Sequence, residues 1–242
     1  MSLDNDEQLP KLACLCCTYQ RPQVLENAIE SFLRQDYPKG RCEMIVLDDA
    51  GQYHPASYEN WHIISMKRRF RTLGEKRNAC AALSSPDVEG YVVWDDDDIY
   101  LPHTLRAHAR ALDQAEWSRP SLFLHEHIDG RLDARPTEGL YHGGWAFRRE
   151  VFERHHGYAA VSAWEDAQLM RRLEHTGVSQ ADPCTLNGPY YVYRSETSGT
   201  WHITDWARNG YEELAKIPQP ETLYDLKPNW PIDYMARLAC GD

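Results

Sequence analysis

The stretch YVVWDDDDIYLP, residues 91–102, joins an apolar segment to four consecutive aspartates. The apolar part has the length and composition of a buried β-strand. Adjacent carboxylates repel one another unless a cation lies among them or water screens them. Four aspartates at the end of a buried strand therefore raise the question of which positively charged group neutralises them.

The segments before this stretch alternate between strand patterns and helix patterns. Apolar runs of strand length lie at 12–17, 44–49, 62–66 and 90–94, and helical periodicity covers 22–33, 75–83 and 102–117. A strand, a helix and a second strand in succession imply parallel strands joined by a right-handed crossover. The alternation predicts an α/β fold with a mostly parallel sheet flanked by helices.

The alternation ends after about residue 118, where a smaller mixed region begins. Strands are predicted at 121–125 and 189–193, a strand with a tight loop at 140–147, and helices at 149–155, 163–175 and 205–216. We interpret residues 1–10 as a tail, 11–117 and 118–216 as two halves of one domain, and 217–242 as an extended tail over the body.

Composition limits the possible partners and compartment. The formal net charge of −11 argues against a nucleic-acid surface or an anionic membrane surface. The sequence contains no apolar run long enough to span a membrane, and its N-terminus lacks the apolar core of a signal peptide. Cys14 and Cys17 have the spacing of a redox or zinc pair, but we favour buried free thiols in a cytoplasmic protein.

Carboxylates follow several of the predicted strands. Thr18 follows the first strand, Asp48 and Asp49 end the second, and residues 95–98 follow a later one. Ligands of open parallel sheets bind beyond the carboxyl ends of the strands, so these groups are expected to meet. Clustered carboxylates suit Mg²⁺ or Mn²⁺, which also bind substrate phosphates. Solvated loop acids are an adequate alternative for either cluster alone.

A basic run, KRRFRTLGEKR at residues 67–77, stands out in this acidic chain. Phosphate oxygens favour arginine and lysine side chains. Lys76 and Arg77 begin a predicted helix, so one or both are candidates to face a ligand. A solvated surface patch explains the individual residues about equally well.

Several motifs together resemble one family. The segments CTYQRP, VLDDAG, EKRNACAAL and WDDDDIYLP, followed by GGWAFRREVFERHHGY and WEDAQLMRRL, resemble in content and order the motifs of the family 2 glycosyltransferases, which use nucleotide sugars and have the GT-A fold. The resemblance covers roughly residues 10–205. It implies a Rossmann-like GT-A domain whose 11–117 half binds the nucleotide sugar and whose 118–216 half faces the acceptor.

The resemblance also implies roles for single residues. On the donor side, Thr18, Asp48 and Asp49 contact the base, Arg71 or Arg77 lies near the base or diphosphate, and Asp95 and Asp96 contact ribose or sugar. Asp97 and the late His202 bind the metal, Mn²⁺ or Mg²⁺, and Asp166 in the Glu165-Asp166 pair is the general base. Ala50-Gly51 departs from the family's usual turn, which leaves the base contact open.

Three further residues are candidates on their own chemistry. Gly143 and Gly144 let backbone approach the donor sugar, although a plain tight turn is nearly as good a reading. The Trp164 indole is suited to pack on a sugar ring. The acids at 165–166 also suit a helix N-terminus on electrostatic grounds alone.

These observations predict a metal-dependent glycosyltransferase that moves a sugar, with UDP favoured, to an acceptor hydroxyl with inversion. The acceptor is open among saccharides, lipid-linked molecules and small molecules, and contact with the inner membrane surface is left open. A nucleotidyltransferase is disfavoured because CTYQRP lacks glycine. A non-catalytic nucleotide- or carbohydrate-binding protein is the remaining alternative.

Overall fold

The structure is a computed structural model, and it describes residues 8–194 and 223–240. The predicted helix at 205–216 and the predicted metal ligand His202 lie outside the described residues.

The described strands are β1 (Leu12–Thr18), β2 (Cys42–Asp48), β3 (Ala56–Ser57), β4 (Trp61–Ser65), β5 (Gly90–Val93), β6 (Ile99–Tyr100), β7 (Trp117–Ser118), β8 (Leu122–Glu126), β9 (Leu132–Pro136), β10 (Ala146–Arg148), β11 (Gln180–Ala181) and β12 (Tyr191–Tyr193). The described helices are α1 (Pro22–Leu33), α2 (Leu73–Ala82), α3 (Thr104–Gln114), α4 (Arg149–Arg154), α5 (Glu165–His175), α6 (Cys184–Asn187) and α7 (Tyr234–Cys240). Short 3₁₀ turns lie at Lys39–Arg41 and His142–Gly144.

The large sheet has the strand order β3-β4-β2-β1-β5-β10-β7-β11. Strands β4, β2, β1 and β5 are parallel, as the alternation of strands and helices predicts. The chain then returns through β10, which is antiparallel to both of its neighbours. A second sheet, in the order β6-β12-β8-β9, accounts for the mixed character of the later sequence.

Side chains of β1 alternate between two cores. Leu12, Cys14 and Cys16 face the core that contains the apolar side of α1, and Ala13 and Leu15 face the core that contains α2 and α5. Strands buried on both faces read as nearly continuous apolar runs, which explains LACLCC. Cys14 and Cys16 are free thiols, and burial raises the pKa of each.

Several element boundaries differ from the predictions, and the backbone gives a local reason at two of them. The helix predicted to end at Trp117 ends at Gln114, because Ala115 is extended and Trp117 pairs with β10. The helix predicted from residue 163 begins at Glu165, because Trp164 adopts a left-handed backbone conformation with φ of 66°.

The C-terminal segment lies against α1. The Lys227 N–H donates to Glu26 Oε1 at 2.7 Å, and the Trp230 indole donates to the Ser31 hydroxyl at 3.0 Å. The segment does not stay extended, however, since it ends in helix α7 with Tyr234 buried. Among the described residues, no helix has the length and apolar character needed to cross a membrane.

We predict that His108 makes the fold sensitive to acid. This side chain of α3 is fully buried, with Nδ1 2.9 Å from the Ser118 hydroxyl, and burial lowers its pKa to about 3. An unfolded histidine titrates near pH 6.5. Between about pH 6.5 and pH 3, His108 binds a proton in the unfolded chain but not in the folded chain. The free energy of unfolding therefore falls as the pH decreases through this range.

The test compares His108→Gln with the natural chain by chemical denaturation. Between about pH 7.5 and pH 5, the natural chain should lose about 2 kcal/mol more stability than the variant, from linkage at this one group. His54→Gln, at an exposed histidine, is the matched control and should leave the pH profile unchanged. Parallel profiles for the natural chain and His108→Gln would contradict the prediction.

Candidate functional site

Three strand ends meet at the carboxyl edge of the large sheet. Thr18 ends β1 and Asp48 ends β2, and the two residues are aligned in the parallel register. Strand β5 ends at Val93, and Trp94 leads into the four aspartates. We call the side chains at these three strand ends the carboxyl edge. The groups that neutralise or hydrogen-bond these carboxylates come from the segments in and around α1, α2, β4 and β12.

Asp48 is satisfied by its own turn and by the end of β4. Its Oδ1 accepts from the Ala50 N–H at 2.9 Å, and its Oδ2 accepts from the Gln52 N–H at 3.0 Å and the Ser65 hydroxyl at 2.7 Å. Gly51 is needed in this turn because its φ is +69° and a Cβ there would lie 2.5 Å from the Lys67 side chain. The aspartate therefore shapes the turn after β2.

Asp49 is neutralised from α2. Lys76 is buried, and its Nζ donates to Asp49 Oδ1 at 2.5 Å and to the Thr18 carbonyl at 2.6 Å. Arg69 lies 3.4 Å from the same carboxylate and stacks on the Tyr19 ring at 3.5 Å. Lys76 thus holds the ends of β1 and β2 together beneath the edge.

Arg77 joins the two halves of the site. Its Nη1 and Nη2 donate to Asp95 Oδ1 at 3.3 Å, and its Nε donates to Glu165 Oε1 at 3.3 Å. Glu165 is buried at the start of α5, and burial raises the pKa of its carboxyl group against the opposing effect of Arg77. One guanidinium therefore spans from the end of β5 to the predicted catalytic pair.

The next residue of α2, Asn78, holds the segment that frames this bridge. Its side chain exchanges two hydrogen bonds of 2.8 Å with the backbone of Tyr158. The Tyr158 hydroxyl lies 2.8 Å from His142 Nε2, and its ring lies 5.8 Å from the Arg77 guanidinium. Burial lowers the pKa of His142, so this imidazole is neutral.

Asp96 and Asp97 share one partner. Arg21 Nη2 lies 2.5 Å from Asp96 Oδ1, and Arg21 Nη1 lies 2.7 Å from Asp97 Oδ2. Burial raises the pKa of Asp96 to about 6, although Arg21 acts in the opposite direction. The Thr18 hydroxyl is near enough to Asp96 to lower that pKa, without forming a hydrogen bond of normal geometry.

Asp98 is buried and is held by β12 and the residue that follows it. The Tyr191 hydroxyl donates to its Oδ2 at 2.5 Å, and the Arg194 N–H donates to its Oδ1 at 3.1 Å. The Arg194 side chain is buried and donates to the Asp97 carbonyl at 2.6 Å and to Asn27 at 2.9 Å. Arg194 and Tyr191 therefore fix the backbone and the last side chain of the aspartate run.

Gly143 lies against Asp95, and Gly144 follows it in the same turn and lies against Pro120. The Tyr100 hydroxyl accepts from the Asp95 N–H at 2.7 Å and donates to the Gly143 carbonyl at 2.9 Å. A Cβ on Gly143 would lie 2.7 Å from Asp95 Oδ2. The Tyr190 hydroxyl donates to the Gly144 carbonyl at 2.7 Å. The turn thus fits closely under Asp95.

The remaining predicted residues lie at the rim. Asp166 is half-buried and accepts from the Ala167 N–H at 2.6 Å. Trp164 is 67% exposed and left-handed, a conformation that is uncommon for a bulky residue and costs free energy. Arg71 is exposed beside the N-terminus of α2.

The donor set as arranged fits a guanidinium and does not fit Mn²⁺ or Mg²⁺. Both Asp96 and the predicted ligand Asp97 give an oxygen to Arg21. Residues 8–194 and 223–240 contain no group of three or more His, Cys, Asp or Glu side chains arranged to hold a metal ion. His202 lies outside these residues.

A separate cavity of about 530 Å³ lies at the opposite edge of the sheet, where β1 and β5 begin. Its lining includes Leu12, Gly90 and Arg148, none of which contacts the aspartates. The charged network at the carboxyl edge is the better candidate, because open parallel sheets bind their ligands at that edge.

Sequence reasoning did not single out Arg21, Asn78, Tyr158 or Arg194. A usable signal existed for Arg21, which stands between the end of β1 and Pro22 at the start of α1, on the same edge as the aspartates. No comparable local signal marks Arg194, which is 97 residues from Asp97 along the chain.

Comparison with protein-family models gives one match. The model described as Glycosyl transferase family 2 matches residues 14–117. This region holds β1 to α3, including the carboxyl edge from Thr18 to Asp98. A comparison with curated proteins found no significant match.

Solved structures share the fold. The chain superposes on TarS 1–349 of S. aureus in complex with UDP with a TM-score of 0.59 and 16% identity, covering 76% of this chain and 60% of that chain. It superposes on the mannosyltransferase PcManGT of Pyrobaculum calidifontis, in complex with GDP-Man and Mn²⁺, with a TM-score of 0.58 and 17% identity, covering 89% and 67%. The predicted GT-A fold is confirmed.

We predict that Gly143→Ala disturbs the site through Asp95. The added methyl group would lie 2.7 Å from Asp95 Oδ2 and 2.9 Å from the Tyr191 hydroxyl. Overpacking of this kind costs about 1–3 kcal/mol, which chemical denaturation would measure. Gly40→Ala is the matched control, since a Cβ there meets nothing within 4 Å. Equal stability of the two variants would contradict the prediction.

Proposed function

We propose that this protein transfers a sugar from a nucleoside diphosphate to a hydroxyl group of an acceptor, as the match of residues 14–117 to the Glycosyl transferase family 2 model suggests. The observation that carries the proposal is the Arg77 bridge. It ties Asp95, on the donor side, to Glu165, beside the proposed base. A fixed distance between donor and base is what direct transfer requires, since proximity and orientation supply much of the rate.

Asp166 is the proposed general base. It is half-buried at the first turn of α5, and its neighbour Glu165 is engaged by Arg77. Glu165 therefore positions Arg77 and Asp95, and Asp166 takes the proton from the acceptor hydroxyl as that oxygen attacks the anomeric carbon. A single attack from the face opposite the leaving diphosphate inverts the anomeric configuration.

The leaving diphosphate needs positive charge near the carboxyl edge. Arg21 and Arg77 are two of the guanidinium groups held there by aspartates. The metal dependence expected from the resemblance is not part of this proposal, because Asp96 and Asp97 each give an oxygen to Arg21. UDP is the preferred nucleotide by resemblance; TarS 1–349 binds UDP and UDP-GlcNAc, and PcManGT binds GDP-Man.

Trp164 is the proposed contact for the acceptor. Its exposed indole stands one residue before Glu165, and a left-handed backbone holds it there. A strained, exposed aromatic residue beside the base suits packing on the face of a sugar. A saccharide or another molecule with a flat face is thus the favoured acceptor class.

The base assignment is tested with Asp166→Asn. This variant should bind UDP as the natural chain does and lose turnover on the order of 10²–10⁴-fold, because it cannot accept a proton. Glu174→Gln, at an exposed carboxylate on the same helix, is the matched control and should keep full turnover. An Asp166→Asn protein with normal turnover would rule out this base.

The donor and reaction class are tested by calorimetric titration with UDP, GDP and their sugars, followed by analysis of products. Release of UDP, with an anomeric configuration opposite to that of the donor by NMR, is the expected result. Release of pyrophosphate would identify a nucleotidyltransferase instead. Tight nucleotide binding without any turnover would favour a binding protein.

A further inference from the structure

We propose that Arg21 is the resident counter-cation of Asp96 and Asp97 and that it competes with divalent metal ions for these two carboxylates. The inference rests on the proposed function only for its consequence in sugar transfer. The competition itself concerns three side chains whose contacts are described above.

Arg21 pairs with both carboxylates at once. The two arms of the guanidinium reach different carboxylates, Nη2 to Asp96 at 2.5 Å and Nη1 to Asp97 at 2.7 Å. Arginine presents its donors in a rigid fork, so one side chain can bridge two acceptors in this way. A cation ligated by the same two oxygens would need the space that the guanidinium fills, because Mg²⁺–oxygen distances are only about 2.0–2.1 Å.

The two carboxylates that Arg21 bridges are buried. The Asp96 and Asp97 carboxylates are only 1% and 5% exposed, and Arg21 is 18% exposed. Removing one partner of a buried ion pair leaves an uncompensated charge, which is strongly unfavourable. The two aspartates therefore require a cation at all times, and Arg21 supplies it from within the chain.

The neighbouring chain holds the aspartates in place. Arg194 holds the Asp97 carbonyl, and Tyr191 and the Arg194 backbone hold the Asp98 carboxylate. The aspartate run is therefore fixed, whereas Arg21 stands at the turn between β1 and α1. Metal binding must displace the Arg21 side chain and leave the carboxylates in place.

In catalytic terms, Arg21 places a permanent positive charge at the carboxyl edge. Guanidinium groups suit diphosphate oxygens. The natural chain should therefore depend only weakly on added metal, and loss of Arg21 should convert the site into one that takes up a cation.

The experiment measures Mn²⁺ binding directly, by the loss of the free-ion signal in electron paramagnetic resonance, with no nucleotide or sugar present. Arg21→Gln should bind Mn²⁺ more tightly than the natural chain, by on the order of tenfold, because the substitution removes a positive charge that would repel the ion at a distance of a few ångströms. Arg69→Gln is the matched control: its side chain is also 18% exposed and pairs with Asp49, but it does not pair with Asp96 or Asp97.

Arg21→Lys keeps the charge if Arg21→Gln fails to fold, which circular dichroism and thermal denaturation would reveal. A single ammonium cannot bridge both carboxylates as the fork does, so the affinity should lie between those of the natural chain and Arg21→Gln. Unchanged or weaker Mn²⁺ binding in the folded Arg21 variants would overturn the proposal. An equal gain in Arg69→Gln would also overturn it, by attributing the gain to net charge.

These outcomes are separate from those that test sugar transfer. A protein that binds no nucleotide could still show the competition at Arg21. A protein that transfers sugar normally could fail to show it.

Discussion

The site depends on one electrostatic constraint: six aspartates converge on one edge of a sheet, and each must be neutralised or hydrogen-bonded where it lies. Burial makes an unpaired charge costly. Asp48 is satisfied by its own turn and Ser65, Asp49 by Lys76, Asp95 by Arg77, the pair Asp96 and Asp97 by Arg21, and Asp98 by Tyr191 and Arg194. These partners come from α1, α2, β4 and β12 or their flanks, so the charges also connect distant parts of the chain.

Arg77 and Asn78 show how one helix serves both sides of the site. Arg77 reaches Asp95 and Glu165, and Asn78 fixes the backbone of Tyr158 through two hydrogen bonds. The capping box of Thr72 and Glu75 fixes where α2 begins. The start of this helix therefore decides the position of the bridge, and with it the distance between the end of β5 and α5.

The sequence allowed the strand ends and their convergence to be predicted, because hydrophobic periodicity and the rules of parallel sheets act on local patterns. The partners of the carboxylates could not be predicted in this way. Arg21 and Asp96 are 75 residues apart, and no periodic pattern relates them. The early start expected for α5 was wrong for a different reason: the backbone conformation of Trp164 is uncommon, and residue type alone does not foretell it.

The Tyr100 hydroxyl has a role beyond tying Gly143 to Asp95. It belongs to the small sheet, yet it accepts a hydrogen bond from the residue after the β5–Trp94 segment and donates one to the turn before β10 of the large sheet. Without that oxygen, a donor and an acceptor would face each other across a gap the size of one atom, which a water molecule fits. A phenol built into the chain fills this place with an oxygen that cannot exchange with solvent, so the hydrogen bonds beneath Asp95 do not depend on capturing a water molecule.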